Sequence, residues 1–435
     1  MKSSTKKYTA RSATSVIVAN MIGTGVFGAL GFQLVEIQSG FVILMLWAIA
    51  GITALCGALS YAELGSAMPR GGGEYHFLSK IYHPMVGFVA GWVSTTIGFA
   101  APVAVVALLF AGYFTSVFDV INDQALAVAL IVVLTAIHIT NHKSSGGFHQ
   151  IMTLLKLLLI IGFCGFAFFM VETPQKISFV PDLSDIDIVF SGSFAVMLIF
   201  ANYAYMGWNS ATYLSNEIEN PSKNLPKILL TGTLVVAILY VLLNFIFLYV
   251  APISELKGIK EVGYVAAKHV FGTQGAAIVG ISLSVVLIST VSAMTMAGPR
   301  AFQAIGQDYP LFSILAKTNK NNIPVVAIIL QSALSILFVL TSSFEFIMVF
   351  AGFTLMLCNF ATVLGVMVLR ITQPDLKRPY KTWLYPFTPI LYLCLMGWTI
   401  IYVIKDKPYE SLMSLSVIIL GVLMYFISNA ASKRN

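Results

Sequence analysis

The chain has 435 residues, of which 58% are hydrophobic and only 10% charged, with a formal net charge of +7. A soluble domain carries about 25% charged residues, so this composition excludes a water-soluble globule and predicts an all-α membrane protein. The basic excess does not predict a nucleic-acid partner, because the lysines and arginines follow membrane topology and form no patch.

A spanning helix needs roughly 20 mainly apolar residues. Hydropathy places about twelve such stretches, at 12–34, 41–66, 85–117, 122–140, 149–171, 190–214, 227–250, 276–299, 323–341, 345–370, 384–404 and 411–429. The basic residues 1–11 precede an apolar stretch that is long, glycine-broken and without a small-residue cleavage site. It reads as the first span and not as a secretory signal. An even number of spans puts both termini on one side. With that side cytoplasmic, inner loops collect eighteen lysines and arginines against six outside, a positive-inside bias. The expectation is a multi-pass protein of the plasma (inner) membrane, a single domain over 1–435 with both termini cytoplasmic. In the second long outer loop, 253–270 is amphipathic and predicts a short helix across the outer mouth.

Spans one and six are unusual. The first holds Gly23-Thr24-Gly25-Val26-Phe27-Gly28, three glycines at membrane depth. The sixth holds Asn202-Tyr203-Ala204-Tyr205-Met206-Gly207-Trp208-Asn209. They correspond if 12–171 and 190–370 are two five-span halves followed by two helices in 384–429. Paired interruptions in corresponding spans mark the substrate site of transporters built from inverted repeats. Unwinding a helix in lipid leaves N–H and C=O groups unpaired at several kcal/mol each, so something must satisfy them. An amino acid zwitterion fits. Its carboxylate suits the free N–H groups opening the outer half-helix, and its ammonium suits the carbonyls ending the inner one. Close packing of small residues is the alternative for the glycines, and core packing for Tyr203, Tyr205 and Trp208. Otherwise those aromatics close over a ligand. Met206 narrows the pocket.

Lys156, one to two turns into span five, is the only basic residue clearly inside a span. An intramembrane ionisable group is a functional candidate. Burial penalises an ammonium relative to an amine, which suits a proton carrier. A permanently charged lysine would instead tie span five to carbonyls of span one, and snorkelling to the interface is the third option. The loop from Glu63 to Tyr75 has a glycine run, but no Gly-Lys-Ser/Thr follows and no strand precedes it, so it is no phosphate loop. It reads as a charged inner gate. The four cysteines lie scattered in apolar stretches and read as buried small residues, and no histidine spacing suits a metal. His138, His142 and His149 read as interfacial, and Glu36 as solvated. No nucleophile or acid–base pair shares one depth, so an integral membrane enzyme is not expected, nor is any cofactor.

Four segments resemble those of a known family. Ile22-Gly23-Thr24-Gly25-Val26-Phe27 is similar to I-G-[ST]-G-I-F. Tyr61-Ala62-Glu63-Leu64 with Pro69, Gly72, Gly73 and Tyr75 is similar to Y-A-E-L…P-x-x-G-G-x-Y. Tyr205-Met206-Gly207-Trp208 with Glu217, Asn220-Pro221, Asn224 and Pro226 is similar to Y-x-G-W…E-x-x-N-P-x-x-x-x-P. Residues 373–381 are similar to Q-P-[DN]-L-x-R-P-[YF]-[KR]. In this order they resemble the amino acid–polyamine–organocation superfamily, in its L-amino-acid-transporter-like and bacterial amino acid permease branch. The resemblance implies the LeuT-type fold, with two inverted five-helix repeats plus two helices, working by alternating access. It implies that the Thr24 and Gly25 amides bind the substrate carboxylate and that the Met21, Tyr203 and Met206 carbonyls bind the ammonium. Ile22, Gly23, Ala204, Tyr205 and Asn209 complete the expected binding set, with Tyr203 and Trp208 as gates. It also implies that Lys156 stands where sodium-coupled relatives bind sodium. Gly298-Pro299-Arg300 resembles the cytoplasmic end of helix eight. Met206 departs from a commonly small residue, and Thr24 replaces serine without consequence for binding through its amide.

The reading is a secondary transporter of neutral L-amino acids, by exchange or proton symport, without sodium. Neutrality rests on the spans offering no buried charge besides Lys156, since a cationic side chain wants a carboxylate in a dry site. A polyamine or basic amino acid antiporter using aromatic cation–π contacts and a transport-inactive amino acid sensor are the alternatives. The partners implied are the amino acid, protons in the symport case, and the lipid bilayer. A partner subunit is left open.

Overall fold

The computed structural model describes residues 8–23, 25–118, 122–140, 146–213 and 215–432. It is helical, and among the described residues there is no strand, only an isolated bridge between Tyr8 and Ile218. In chain order the helices are α1 (Ala10–Met21), α2 (Ala29–Glu36), α3 (Gly40–Ala67), α4 (Gly73–Ile81), α5 (Pro84–Val93), α6 (Ala100–Thr115), α7 (Asp123–Thr140), α8 (Gly146–Met170), α9 (Leu183–Val189) and α10 (Gly192–Tyr205). There follow α11 (Ser210–Tyr213), α12 (Pro221–Val250), α13 (Ile253–Leu256), α14 (Val262–Ala297), α15 (Pro299–Asp308), α16 (Ser313–Ala316), α17 (Val325–Thr341), α18 (Phe344–Thr372), α19 (Phe387–Asp406) and α20 (Pro408–Ser432).

Among the described residues nine helices are long and apolar enough to cross a membrane, and the bent pair of α9 and α10, angled at 69°, makes a tenth. The protein is thus a multi-pass all-α membrane protein. The expectation of about twelve counts two further stretches that fall short of that length and apolarity. The first span is split into α1 and α2, and α17 is a 17-residue apolar helix. Burial separates the spans. In the most apolar window of 84–115, 83% of residues are buried, against 22% in α7 and 28% in α20. Span three is therefore core, and α7 and α20 turn most of their surface to lipid.

Helices α3 and α12 pack along one another and α12 holds α1, while α6 packs against α14. Span three carries a π-helical turn over Ser94–Gly98 between α5 and α6, a distortion common near functional sites. The amphipathic stretch expected across the outer mouth is α13 with the first turns of α14, which break at Gly272 (φ +66°). It lies on α2, where the Gly258 N–H donates to the Gly31 carbonyl at 2.7 Å. Glu36, at the end of α2, is exposed. His138 corrects the interfacial expectation, being buried with Nε2 3.0 Å from Ser292 Oγ. His142 and the side chain of His149 lie outside the described residues.

Two of the sequence motifs meet on the basic side. Glu63 near the end of α3 is buried, and Arg370 of α18 grips it with two hydrogen bonds of 2.9 and 2.7 Å. Arg378 Nε lies 3.3 Å away, and the Thr382 N–H donates to the same carboxylate at 2.7 Å. The remaining Arg378 nitrogens bind the carbonyls of Leu369, Gln373, Pro374 and Leu376. A buried carboxylate is tolerated when paired and hydrogen-bonded, and this one clamps α18 and the segment after it onto α3. It corrects the expectation that the spans bury no charge besides Lys156.

Candidate functional site

The two broken spans cross at their breaks. A Cβ placed on Gly25 would lie 2.7 Å from the Cβ and 2.8 Å from the Cα of Ala204. One on Gly207 (φ +108°) would lie 3.0 Å from the Asn20 carbonyl carbon. These distances are shorter than van der Waals separation, so the two backbones approach as only glycine permits. Helix α1 ends at Met21, and α2 starts only at Ala29, where the Gly25 carbonyl accepts from the N–H groups of Gly28 (3.1 Å) and Ala29 (2.8 Å). Gly25, Val26 and Phe27 are buried, and their N–H groups have no hydrogen-bond partner among the described residues. Buried amides without a partner are rare, and successive N–H groups near a helix start are the kind of backbone that suits an anion. Thr24 lies outside the described residues.

The carbonyls at the break have partners that tie it to neighbouring spans. Lys156 is buried (3% exposed), and its Nζ donates to the Ile22 carbonyl at 3.3 Å and to Thr290 Oγ1 at 2.6 Å. It does not snorkel. It joins spans five, one and eight. The Tyr240 hydroxyl of α12 faces the Met21 carbonyl at 2.6 Å and the Ala204 carbonyl at 3.2 Å, so it stitches the two breaks together. The Tyr203 carbonyl accepts from the Met206 N–H at 3.0 Å. Each of these carbonyls keeps a second lone pair.

A cavity of about 550 Å³ leads from the breaks to the basic side. Asn20, Lys156, Met206 and Gly207 line its head, and Arg70, Tyr75 and Arg300 its mouth. At the mouth Arg300 pairs with Glu217 at 3.1 Å, and Tyr75 donates to Asp308. Burial and the Asp308 carboxylate push the Tyr75 hydroxyl well up from its usual range. Burial also pushes neighbouring His76 down to about 4, so it is neutral at physiological pH. The opposite end is shut. Tyr113 donates to the Phe27 carbonyl at 2.9 Å, Phe32 stacks between Phe200 and Phe344, and Lys260 binds Asp123 at 2.5 Å. Among the described residues the cavity thus opens toward the side that carries Arg70 and Arg300.

Of the residues nominated from sequence, Lys156, Met206 and Asn209 line this cavity. Met21, Ile22, Gly23, Gly25, Tyr203 and Ala204 form the buried crossing above it. Two nominated side chains lie away from the cavity lining. The Tyr205 hydroxyl points away, to the Trp47 carbonyl at 3.1 Å, between the Trp47 and Tyr240 rings. Trp208 is buried edge-on against Tyr61, 4.7 Å between centroids. Tyr203 is fully buried with its hydroxyl unpartnered among the described residues.

The sequence reading missed Tyr240 and Thr290, ordinary-looking polar residues within apolar spans. It also missed a polar wall. Buried Glu74 of α4 accepts from the Asn209 amide and the Tyr213 hydroxyl. The Tyr61 hydroxyl sits between Glu74 Oε1 (2.9 Å) and Asn359 Oδ1 (2.8 Å), and Asn359 Nδ2 faces Met206 Sδ at 3.6 Å.

A crossing of two broken spans at the head of a one-sided cavity is transporter architecture, and similarity to known proteins decides the family. The model of the amino acid permease family matches residues 9–424. The chain belongs to the amino acid permease family. Its similar relatives include the large neutral amino acids transporter small subunit 2 of Mus musculus, 28% identical over 431 residues, covering 96% of this chain and 80% of the relative. The serine/threonine exchanger SteT of Bacillus subtilis (strain 168) is 28% identical over 385 residues, 87% of this chain and 86% of the relative. The b(0,+)-type amino acid transporter 1 of Homo sapiens is 25% identical over 431 residues, 96% and 86%. The permease is thus an amino acid transporter and not an enzyme, like the relatives it matches.

Proposed function

We propose that this permease moves neutral L-amino acids by alternating access, in exchange or with protons, without sodium, in a plasma membrane with its basic side cytoplasmic. The observation that carries the reading is the row of amides at Gly25, Val26 and Phe27, without a hydrogen-bond partner among the described residues, where the first broken span crosses the second at Ala204. The amides take the substrate carboxylate, and the Met21, Tyr203 and Met206 carbonyls take its ammonium. Every amino acid carries these two groups, so this half of the site is indifferent to side chain. Sodium independence is supported by the Lys156 Nζ, held between the Ile22 carbonyl and the Thr290 hydroxyl. Neutral substrates and exchange are supported by the names of the neutral amino acid and serine/threonine relatives. The two-repeat division of the chain belongs to the same proposal.

The test is uptake of labelled serine and leucine into proteoliposomes preloaded with unlabelled amino acid, in sodium-free buffer. Uptake that depends on internal amino acid or on a pH gradient is expected. Strict dependence on sodium would overturn the assignment of Lys156.

A further inference from the structure

Glu74 is a buried carboxylate, 2% exposed, in the wall of the substrate cavity. No lysine, arginine or histidine among the described residues pairs with it. Its partners are neutral. Asn209 and Tyr213 donate to it, the Tyr61 hydroxyl faces it at 2.9 Å, and Ser94 Oγ of the π-helical turn backs Tyr213 at 3.2 Å. These side chains come from α3, α11, the linker before it and span three, so the carboxylate is fixed from several directions. Buried charges are paired or bind an ion. Glu63, the other buried glutamate near this side, has two arginines, whereas Glu74 has no basic partner among the described residues.

Its position suits a substrate side chain. Asn209, which donates to Glu74, follows Met206 by three residues, so one short segment joins the break to the carboxylate. A second connection runs from Met206 through Asn359 to Tyr61 and Glu74. We infer that Glu74 is a cation subsite, which receives the distal ammonium or guanidinium of a dibasic amino acid whose α-groups occupy the breaks. Resting on the amino acid site proposed above, this extends the substrate range from neutral to cationic side chains. Arginine suits the carboxylate best, because its planar fork matches two oxygens.

The test uses the full-length protein in proteoliposomes, with labelled leucine and arginine in parallel. The wild type should take up both. Glu74→Gln should lower the arginine-to-leucine ratio of initial uptake at least tenfold, and Glu74→Asp should restore part of it. Independently of any variant, arginine should inhibit wild-type leucine uptake at a concentration at least tenfold lower than citrulline, its uncharged analogue. Leucine uptake without arginine uptake in the wild type, an unchanged ratio in Glu74→Gln, or equal inhibition by arginine and citrulline would each overturn the subsite. A wild type that transports no amino acid would instead overturn the amino acid site itself.

Discussion

Replacing Gly25 by alanine adds one methyl group at the point where the two broken spans touch. That carbon would sit 2.7 Å from the Cβ and 2.8 Å from the Cα of Ala204. Both neighbours belong to the backbone or to its first side-chain atom, so no rotamer change can make room. Overpacking of this kind costs about 1–3 kcal/mol, and each 1.4 kcal/mol is a factor of about ten in an equilibrium constant. The spans would separate at the row of amides proposed to hold the carboxylate. Gly25→Ala is therefore expected to lower substrate affinity or transport at least about tenfold, with Gly25→Val worse. Gly162→Ala, where the added carbon would meet nothing within 4 Å, is the control and should behave as wild type. Ala204→Gly should not rescue Gly25→Ala, because the backbone of residue 204 still stands in the way of the added methyl. The assay is initial uptake together with equilibrium binding on purified protein. Gly25→Ala with uptake within twofold of wild type would refute the close-crossing account.

Lys156→Met should cut sodium-free uptake about tenfold or more, since it leaves the buried Ile22 carbonyl and Thr290 hydroxyl without their shared donor. If uptake also loses its dependence on pH, Lys156 carries the proton, whereas an unaltered pH profile leaves it a structural tie. Tyr240→Phe removes the hydroxyl facing the Met21 and Ala204 carbonyls and should cost about 1–3 kcal/mol of stability, read by thermal denaturation in detergent, with slower exchange. Glu63→Gln leaves Arg370 and Arg378 facing a neutral amide and should destabilise by about 3 kcal/mol or more, visible as a lower midpoint in the same denaturation assay.

The spans and both breaks were legible because lipid imposes a simple rule. Backbone groups must pair internally, so Gly23 to Gly28 and Met206 to Asn209 stood out against apolar runs. Lys156 stood out for the same reason. The directions of Tyr205 and Trp208 were not legible, because both flank a break that resets helical phase, and the packing of α3 and α12 decides which way each ring turns. Tyr240 and Thr290 carry no local mark, since a lone hydroxyl in a span commonly bonds its own helix, as Thr290 also does with the Val286 carbonyl at 3.2 Å. Glu74 was hidden by hydropathy. It sits in a polar segment that reads as a charged inner gate, yet α4 packs against α5 and α18 and buries it. Glu63 looked like the charged edge of a loop, and its two arginines lie about three hundred residues away, at 370 and 378.

The central claim is that the two breaks recognise a zwitterion. It is tested most directly by competition against labelled leucine on the purified permease, using leucine, its methyl ester and its deaminated acid. The account predicts that leucine competes and that both analogues fail by about a hundredfold or more, because each leaves one set of buried backbone groups without a charged partner. Methyl ester or deaminated acid competing as well as leucine would contradict it.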